Sequence, residues 1–158
     1  MGLNARPVLV ADTSEQYDEA RLRLARVGIE DPRGILQGGI AAWKQAGFPT
    51  ASVPQLTVQE LSQRRNARLQ LLDVRREGEW KAGHIEGAEW FPLDNFKISA
   101  PELDPAEPVA VHCQGGYRSM IACSLLQRAG IQVINVAGGF DAWRQAGFPV
   151  EAPAAVSV

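Results

Sequence analysis

The chain is poor in cysteine and histidine. Its 158 residues include two Cys, Cys113 and Cys123, and two His, His84 and His112. Two cysteines are too few for a disulfide framework, and both fall on one expected loop–helix unit. They form no spaced ligand set with the two histidines, so no metal is expected. Such usage fits a reducing cytoplasm. Long apolar runs are also missing; none approaches the ~18 residues that a membrane span needs. The opening residues, Met1-Gly2-Leu3-Asn4-Ala5-Arg6, lack the apolar core of a signal peptide. Arg6 stands where a myristoylation signal needs Ser or Thr. Excess charge of one sign is absent too. A formal net charge of −2 gives no electrostatic reason to expect nucleic acid or an anionic membrane as partner. The run Arg64-Arg65-Asn66-Ala67-Arg68 reads as a solvated face or helix end. What remains is an ordinary globular balance, 46% hydrophobic and 22% charged, long enough for one domain or one domain plus a fragment.

The chain repeats itself. Gly38-Gly39-Ile40-Ala41-Ala42-Trp43-Lys44-Gln45-Ala46-Gly47-Phe48-Pro49 matches Gly138-Gly139-Phe140-Asp141-Ala142-Trp143-Arg144-Gln145-Ala146-Gly147-Phe148-Pro149 at nine of twelve positions, with an offset of 100. Looser matches set Val8-Leu9-Val10-Ala11-Asp12 opposite Val109-Ala110-Val111-His112-Cys113, and Arg26 to Ile29 opposite Arg128 to Ile131. That alignment puts Asp12 at the position of Cys113. The first copy is also incomplete. Asp73 precedes Gly138 by 65 residues, so its counterpart would lie about 27 residues before Met1. The expected organisation is a half-copy over residues 1–50 and a complete domain over 51–158, with 50–56 as the link.

Apolar runs and turn signals alternate in the manner of an α/β domain. Strands are expected at Gln70–Val74, Ala88–Phe91, Val109–His112 and Gln132–Val136. A capping box at Thr57-Val58-Gln59-Glu60 opens a short helix. Glu77 to Lys81 allows one helical turn or two. Further helices are expected over Ser119–Arg128 and Gly139–Gln145, with Pro101–Pro108 a loop. In the first copy, Val8–Val10 and Gly34–Leu36 are strands. Thr13 to Gln16 caps a helix whose Tyr17, Ala20, Leu24 and Val27 share a face. Alternating strands and helices imply a parallel sheet covered on both faces, with its site beyond the C-terminal strand ends.

Cys113 sits at such an end. A buried strand precedes it, and Gln114-Gly115-Gly116-Tyr117-Arg118-Ser119 follows as a glycine loop running into a helix. Backbone N–H groups and a helix N-terminus converge there, which stabilises an anion. The same setting lowers a thiol pKa and makes the sulfur a nucleophile near neutral pH.

Leu72-Asp73-Val74-Arg75, Glu79-Trp80, Gly83-His84-Ile85-Glu86-Gly87-Ala88, the loop Cys113–Ser119 and Gly138-Gly139-Phe140-Asp141-Ala142-Trp143 together resemble a rhodanese domain. They cover residues 54–150 in that family's order. The resemblance implies a rhodanese-like five-stranded parallel sheet flanked by helices, preceded by an inactive half-copy. It also implies a sulfurtransferase. Cys113 would take sulfur from thiosulfate or a low-molecular-weight persulfide, carry it as a persulfide on the amides of Gln114 to Ser119, and pass it to a thiol or cyanide. No metal or organic cofactor is implied. A truncated copy before an intact one resembles the C-terminal part of fusions between a metallo-β-lactamase-fold persulfide dioxygenase and rhodanese modules. Residues 54–150, such an upstream domain, or a second chain, as in a homodimer, would cover the apolar faces of residues 1–50.

Several residues have two readings. Arg118 suits an oxyanion with its planar fork, or ties the loop to nearby carbonyls. Tyr117 controls access or is an ordinary exposed aromatic. Ser119 caps the helix and is placed to bond a persulfide. Asp73 and Arg75, at another strand end, fix loop geometry, and His84 anchors its turn. His112 points to the opposite face from Cys113 and is structural. Cys123 is a core residue, and Trp43 and Trp143 are packing residues. Four residues separate Cys113 from Arg118, whereas cysteine-dependent phosphatases place five. A persulfide carrier for a protein partner and a phosphatase are the alternative functions.

Overall fold

The computed structural model describes residues 6–64 and 68–151. Most of the opening segment and Arg65 to Ala67 of the basic run therefore lie outside the described residues. The chain divides between Ala51 and Ser52 into two compact units.

The second unit is built on a fully parallel sheet in the order β3-β7-β6-β4-β5. Its strands are β3 (Gln55–Leu56), β4 (Gln70–Asp73), β5 (Glu89–Trp90), β6 (Val109–His112) and β7 (Val133–Val136). The helices are α3 (Val58–Arg64), α4 (Glu77–Lys81), α5 (Tyr117–Arg128) and α6 (Gly139–Gln145), with a 3₁₀ turn over Leu93–Lys97. Strand β6 lies in the middle, and all four of its residues are buried. Alternation along it separates two apolar layers. Val109 and Val111 join Leu72, Val74, Ala122, Cys123 and Leu126 on the α5 side. Ala110 joins Leu56, Leu61, Ile85, Phe140 and Trp143 on the other. The same period of two sends Cys113 to the α5 layer and His112 towards Phe140.

Strands β4, β5 and β7 fall one residue short of an expected limit at one end or both, and two departures from the sequence reading are larger. Gln55 and Leu56, expected in the link, form an edge strand, because the N–H groups of Asn135 and Ala137 donate to the carbonyls of Pro54 and Leu56. Helix α5 begins at Tyr117 rather than Ser119, with Gly116 at its N-cap.

The first unit runs β1 (Val8–Val10), α1 (Ser14–Ala25), β2 (Gly34–Leu36) and α2 (Gly39–Gln45), with β1 and β2 paired in parallel. Thr13 Oγ1 accepts the N–H of Gln16 and caps α1. Tyr17, Ala20 and Leu24 share its half-buried face. Val27 lies beyond the helix end and is exposed. Matching ends of the two units share a local contact. The indole of Trp43 donates to the Pro49 carbonyl at 2.9 Å, and that of Trp143 to Pro149 at 2.8 Å. Burial separates the pair, since Trp143 is fully buried and Trp43 is 36% exposed, although both pack as expected, Trp43 on Phe48 at 4.6 Å and Trp143 on Phe148 at 4.8 Å. The register also corrects the alignment around Cys113. Val10 pairs with Leu36, two residues before Gly38, and the place of Val136, two before Gly138, falls beside His112. Ala11, rather than Asp12, therefore takes the place of Cys113, and a Cβ on Gly39 would lie 3.2 Å from the Ala11 carbonyl oxygen.

Candidate active site at the Cys113 loop

The loop leaves β6 at Cys113 and enters α5 at Tyr117. Four residues make the turn, and Gly116 closes it at φ +109°, a conformation that L side chains rarely adopt. Gly116 has no side chain to cap the helix, so the first N–H groups of α5 stay available. One is used at once: the Gly116 N–H donates to Cys113 Sγ at 3.1 Å. In the first unit the corresponding turn is one residue shorter, and the Thr13 side chain takes up the helix end instead.

Cys113 is 1% exposed. Burial pushes its pKa up. The Ser119 hydroxyl and the N–H groups of Ser119, Gly116 and Arg118 outweigh burial and bring the thiol below its ordinary value. Ser119 is therefore no helix cap. It is the third residue of α5, fully buried, with its hydroxyl 3.5 Å from Sγ and 2.9 Å from the Gly116 carbonyl. Its one proton serves either acceptor. Cys123 sits in the same apolar layer with the opposite outcome: burial, aided by the charge on Cys113, pushes its thiol up to about 12.

Helix α6 grips the loop from behind. Its Phe140 and Asp141 N–H groups donate to the carbonyls of Cys113 and Gln114 at 2.8 and 3.0 Å. These are orphan donors of a helix end, satisfied here by the active loop. The approach is so close that a Cβ on Gly139 would overlap both carbonyl oxygens. The Gly138-Gly139 pair, a repeat and a resemblance motif in the sequence, is thus part of the site. So is Asp141, whose carboxylate accepts from the Gln114 side-chain amide.

Asp73 and Arg75 lie beneath the loop, both buried. The guanidinium bonds both carboxylate oxygens of Asp73, with the closest contact at 2.6 Å. It also reaches the Gly83 carbonyl at 2.8 Å and Gln114 Oε1 at 3.3 Å, and lies 3.9 Å over the Phe140 ring. His112 Nε2 is 3.5 Å from Asp73 without a hydrogen bond, and burial first of all pushes the imidazole down, which keeps it neutral. His84 stacks on Trp80 at 3.7 Å and pairs through its backbone with Glu151, contacts that anchor its turn.

Arg118 makes the tie that was one of its two readings, but to a carboxylate. Its fork donates to both oxygens of Glu79, at 2.6 and 2.7 Å. The Arg118 hydrogen bonds hold Glu79 down at about 2. Glu79 belonged to a quoted motif but had been given no role; 39 residues separate it from Arg118. Tyr117, first residue of α5, is 88% exposed beside the loop mouth.

Residues 57–146 match the family model of the rhodanese-like domain. A sulfurtransferase of Allochromatium vinosum is 34% identical over 84 residues, 52% of this chain and 78% of that protein. The uncharacterized protein YqhL of Bacillus subtilis is 39% identical over 75 residues, 47% of this chain and 60% of its own length. The crystal structure of a rhodanese-related protein from Thermoplasma volcanium superposes with a TM-score of 0.59 at 28% identity, covering 62% of this chain and 97% of that one. With the family model spanning more than half the chain and the loop placed as described, the chain belongs to the rhodanese-like family.

Proposed function

We propose that the protein is a sulfurtransferase working through a Cys113 persulfide. The observation that carries this reading is a buried thiol whose sulfur accepts the Gly116 N–H at 3.1 Å at the open end of α5. Those amides favour the thiolate, which is the nucleophile. The thiolate attacks the outer sulfur of thiosulfate. A new S–S bond forms, the old one breaks, and sulfite leaves with the bonding pair. With an organic persulfide the leaving group is a thiolate. The persulfide anion on Cys113 remains within the same ring of N–H donors. Cyanide or an acceptor thiolate then attacks its outer sulfur and regenerates Cys113, so the kinetics are ping-pong. The four-residue spacing between Cys113 and Arg118 speaks against phosphoryl transfer, because the narrower turn suits a sulfur species.

A persulfide carrier for a protein acceptor is the second reading, favoured by Tyr117 and Ile121, 88% and 54% exposed beside the loop. The half-copy belongs to the same proposal. Residues 1–50 are read as a truncated rhodanese-like half without the cysteine, supported by the β-α-β-α order and the shared Trp–Pro contact. An upstream persulfide dioxygenase domain or a second copy would complete it.

The test is intact mass after incubation with thiosulfate or glutathione persulfide. A gain of one sulfur, about 32 Da, that is absent in Cys113→Ser supports the reading; no gain with either donor overturns it. Turnover with cyanide against protein thiols separates enzyme from carrier.

A further inference from the structure

The two copies of the twelve-residue repeat differ at three positions. Ile40 and Phe140 are both apolar, and Lys44 and Arg144 are both cationic. Only the pair Ala41 and Asp141 differs in charge, so the copy that carries the cysteine also carries a carboxylate that the other lacks.

That carboxylate stands at the active loop. Asp141 is exposed in the first turn of α6, and its N–H donates to the Gln114 carbonyl at 3.0 Å. Its Oδ1 accepts the Gln114 side-chain amide, and its Oδ2 would lie 4.0 Å from a Cβ on Gly115. Gly115 is two residues from Cys113, which puts the charge roughly 10 Å from the cysteine. The cations around the loop do not neutralise it. Arg118 is bonded by Glu79, and Arg75 by Asp73. Arg144 lines the cleft beside Gln114 but forms no ion pair with Asp141 among the described residues, and Lys44 repeats its charge in the first copy.

We propose that Asp141 is a specificity-determining residue for the acceptor step, and that its charge favours thiols bearing a cationic group over thiols bearing an anionic one. The inference rests on the sulfur-transfer reading and concerns its second half. The acceptor thiolate R–S⁻ attacks the outer sulfur of Cys113–S–SH. A new S–S bond to the acceptor forms and the bond to the Cys113 sulfur breaks. Its electron pair returns to Cys113 as the thiolate, and R–S–SH leaves, with no oxidant or reductant consumed. Every acceptor arrives with a negative sulfur. A positive group elsewhere on it offsets the repulsion from Asp141, whereas a carboxylate adds to it.

The experiment loads Cys113 with thiosulfate or glutathione persulfide, removes the donor, and follows discharge by three small thiols. Cysteamine is cationic, 2-mercaptoethanol uncharged and 3-mercaptopropionate anionic. The readout is the ratio of the cysteamine rate to the mercaptopropionate rate, at about 0.01 M salt, where the screening length is about 30 Å. Intrinsic thiol reactivity is the same for every variant and cancels when their ratios are compared, as does partial loss of folded protein. Asp141→Asn keeps an oxygen for the Gln114 amide and removes the charge. It should lower the ratio about fivefold and leave the 2-mercaptoethanol rate nearly unchanged. Asp141→Ala, which matches the first copy, removes the hydrogen bond as well and should lower the ratio by the same factor. In about 1 M salt, with the screening length cut to about 3 Å, the difference between unaltered protein and variants should vanish. A ratio unmoved by both substitutions, equal slowing with all three thiols, or a shift that persists in high salt would overturn the role of Asp141 while leaving sulfur transfer intact. Failure of both donors to load Cys113 would overturn the sulfur-transfer reading itself.

Discussion

Cys113 and Cys123 share one apolar layer, yet their surroundings push them in opposite directions. Both are desolvated, which raises a thiol pKa. Only Cys113 also meets a hydroxyl and three backbone N–H groups. Iodoacetamide at pH 7 should therefore alkylate Cys113 and spare Cys123, whose thiol stays protonated up to about 12; peptide mass mapping reads this directly. Ser119→Ala should move the pH midpoint of Cys113 alkylation upward, because a group favouring the anion has gone. A midpoint that stays put would assign the lowered pKa to the backbone alone. Asp73 and Arg75 set a second problem. The pair is buried at 0% and 1% exposure. Arg75→Met leaves a carboxylate without its partner in the interior, at a cost of about 3–5 kcal/mol. Urea unfolding should show that loss, and it should exceed the loss for replacing both residues together with apolar ones.

Among elements, the active loop is held by two helices, α6 and α4. Helix α6 holds it through N–H groups, which is why Gly139 must approach it bare. Gly139→Ala meets two penalties, a φ of +55° and an overlap with the Cys113 and Gln114 carbonyls. It should lower loading of Cys113 far more than Gly147→Ala, where φ is +73° but nothing lies within 4 Å. Helix α4 holds the loop through Glu79 and Arg118. The Glu79 carboxyl, at about 2 in place of 4.5, adds stability above pH 4.5 that fades as pH falls towards 2. Glu79→Gln should flatten that stretch of an acid-unfolding curve followed by tryptophan fluorescence. Sequence made some of this legible. Strand β6 and helix α6 matched their expected limits, because a continuous apolar run and a Gly-Gly start are local signals. The start of α5 did not, since a serine near a helix start suggests a cap, whereas Ser119 turns inward to the sulfur. Strand β3 was hidden by its length of two residues and by Pro54. The Glu79–Arg118 pair had no local signal at all, being a contact made only when α4 and the loop meet.

At the scale of the whole chain, the two units have unequal means of holding themselves together. Among the described residues of the first, Ile29 alone is a buried hydrophobic side chain. Its apolar residues are there but exposed: Val8 at 57%, Val10 at 54%, Phe48 at 53% and Ile35 at 40%. Two strands with one open face are marginal in water. The second unit has five strands and an apolar layer on each side of its sheet. Its hydrophobic burial comes from its own residues, from Leu56 to Trp143. A fragment of residues 52–158 should therefore unfold in one cooperative urea transition and still load sulfur on Cys113. A fragment of residues 1–51 should show no cooperative transition at the same protein concentration, and its amides should exchange within minutes. If the short fragment unfolds cooperatively, its helices and two strands suffice without cover, and the apolar residues on its surface need another explanation. If instead the long fragment fails to fold, residues 1–51 supply stability that the buried layers of the second unit do not account for.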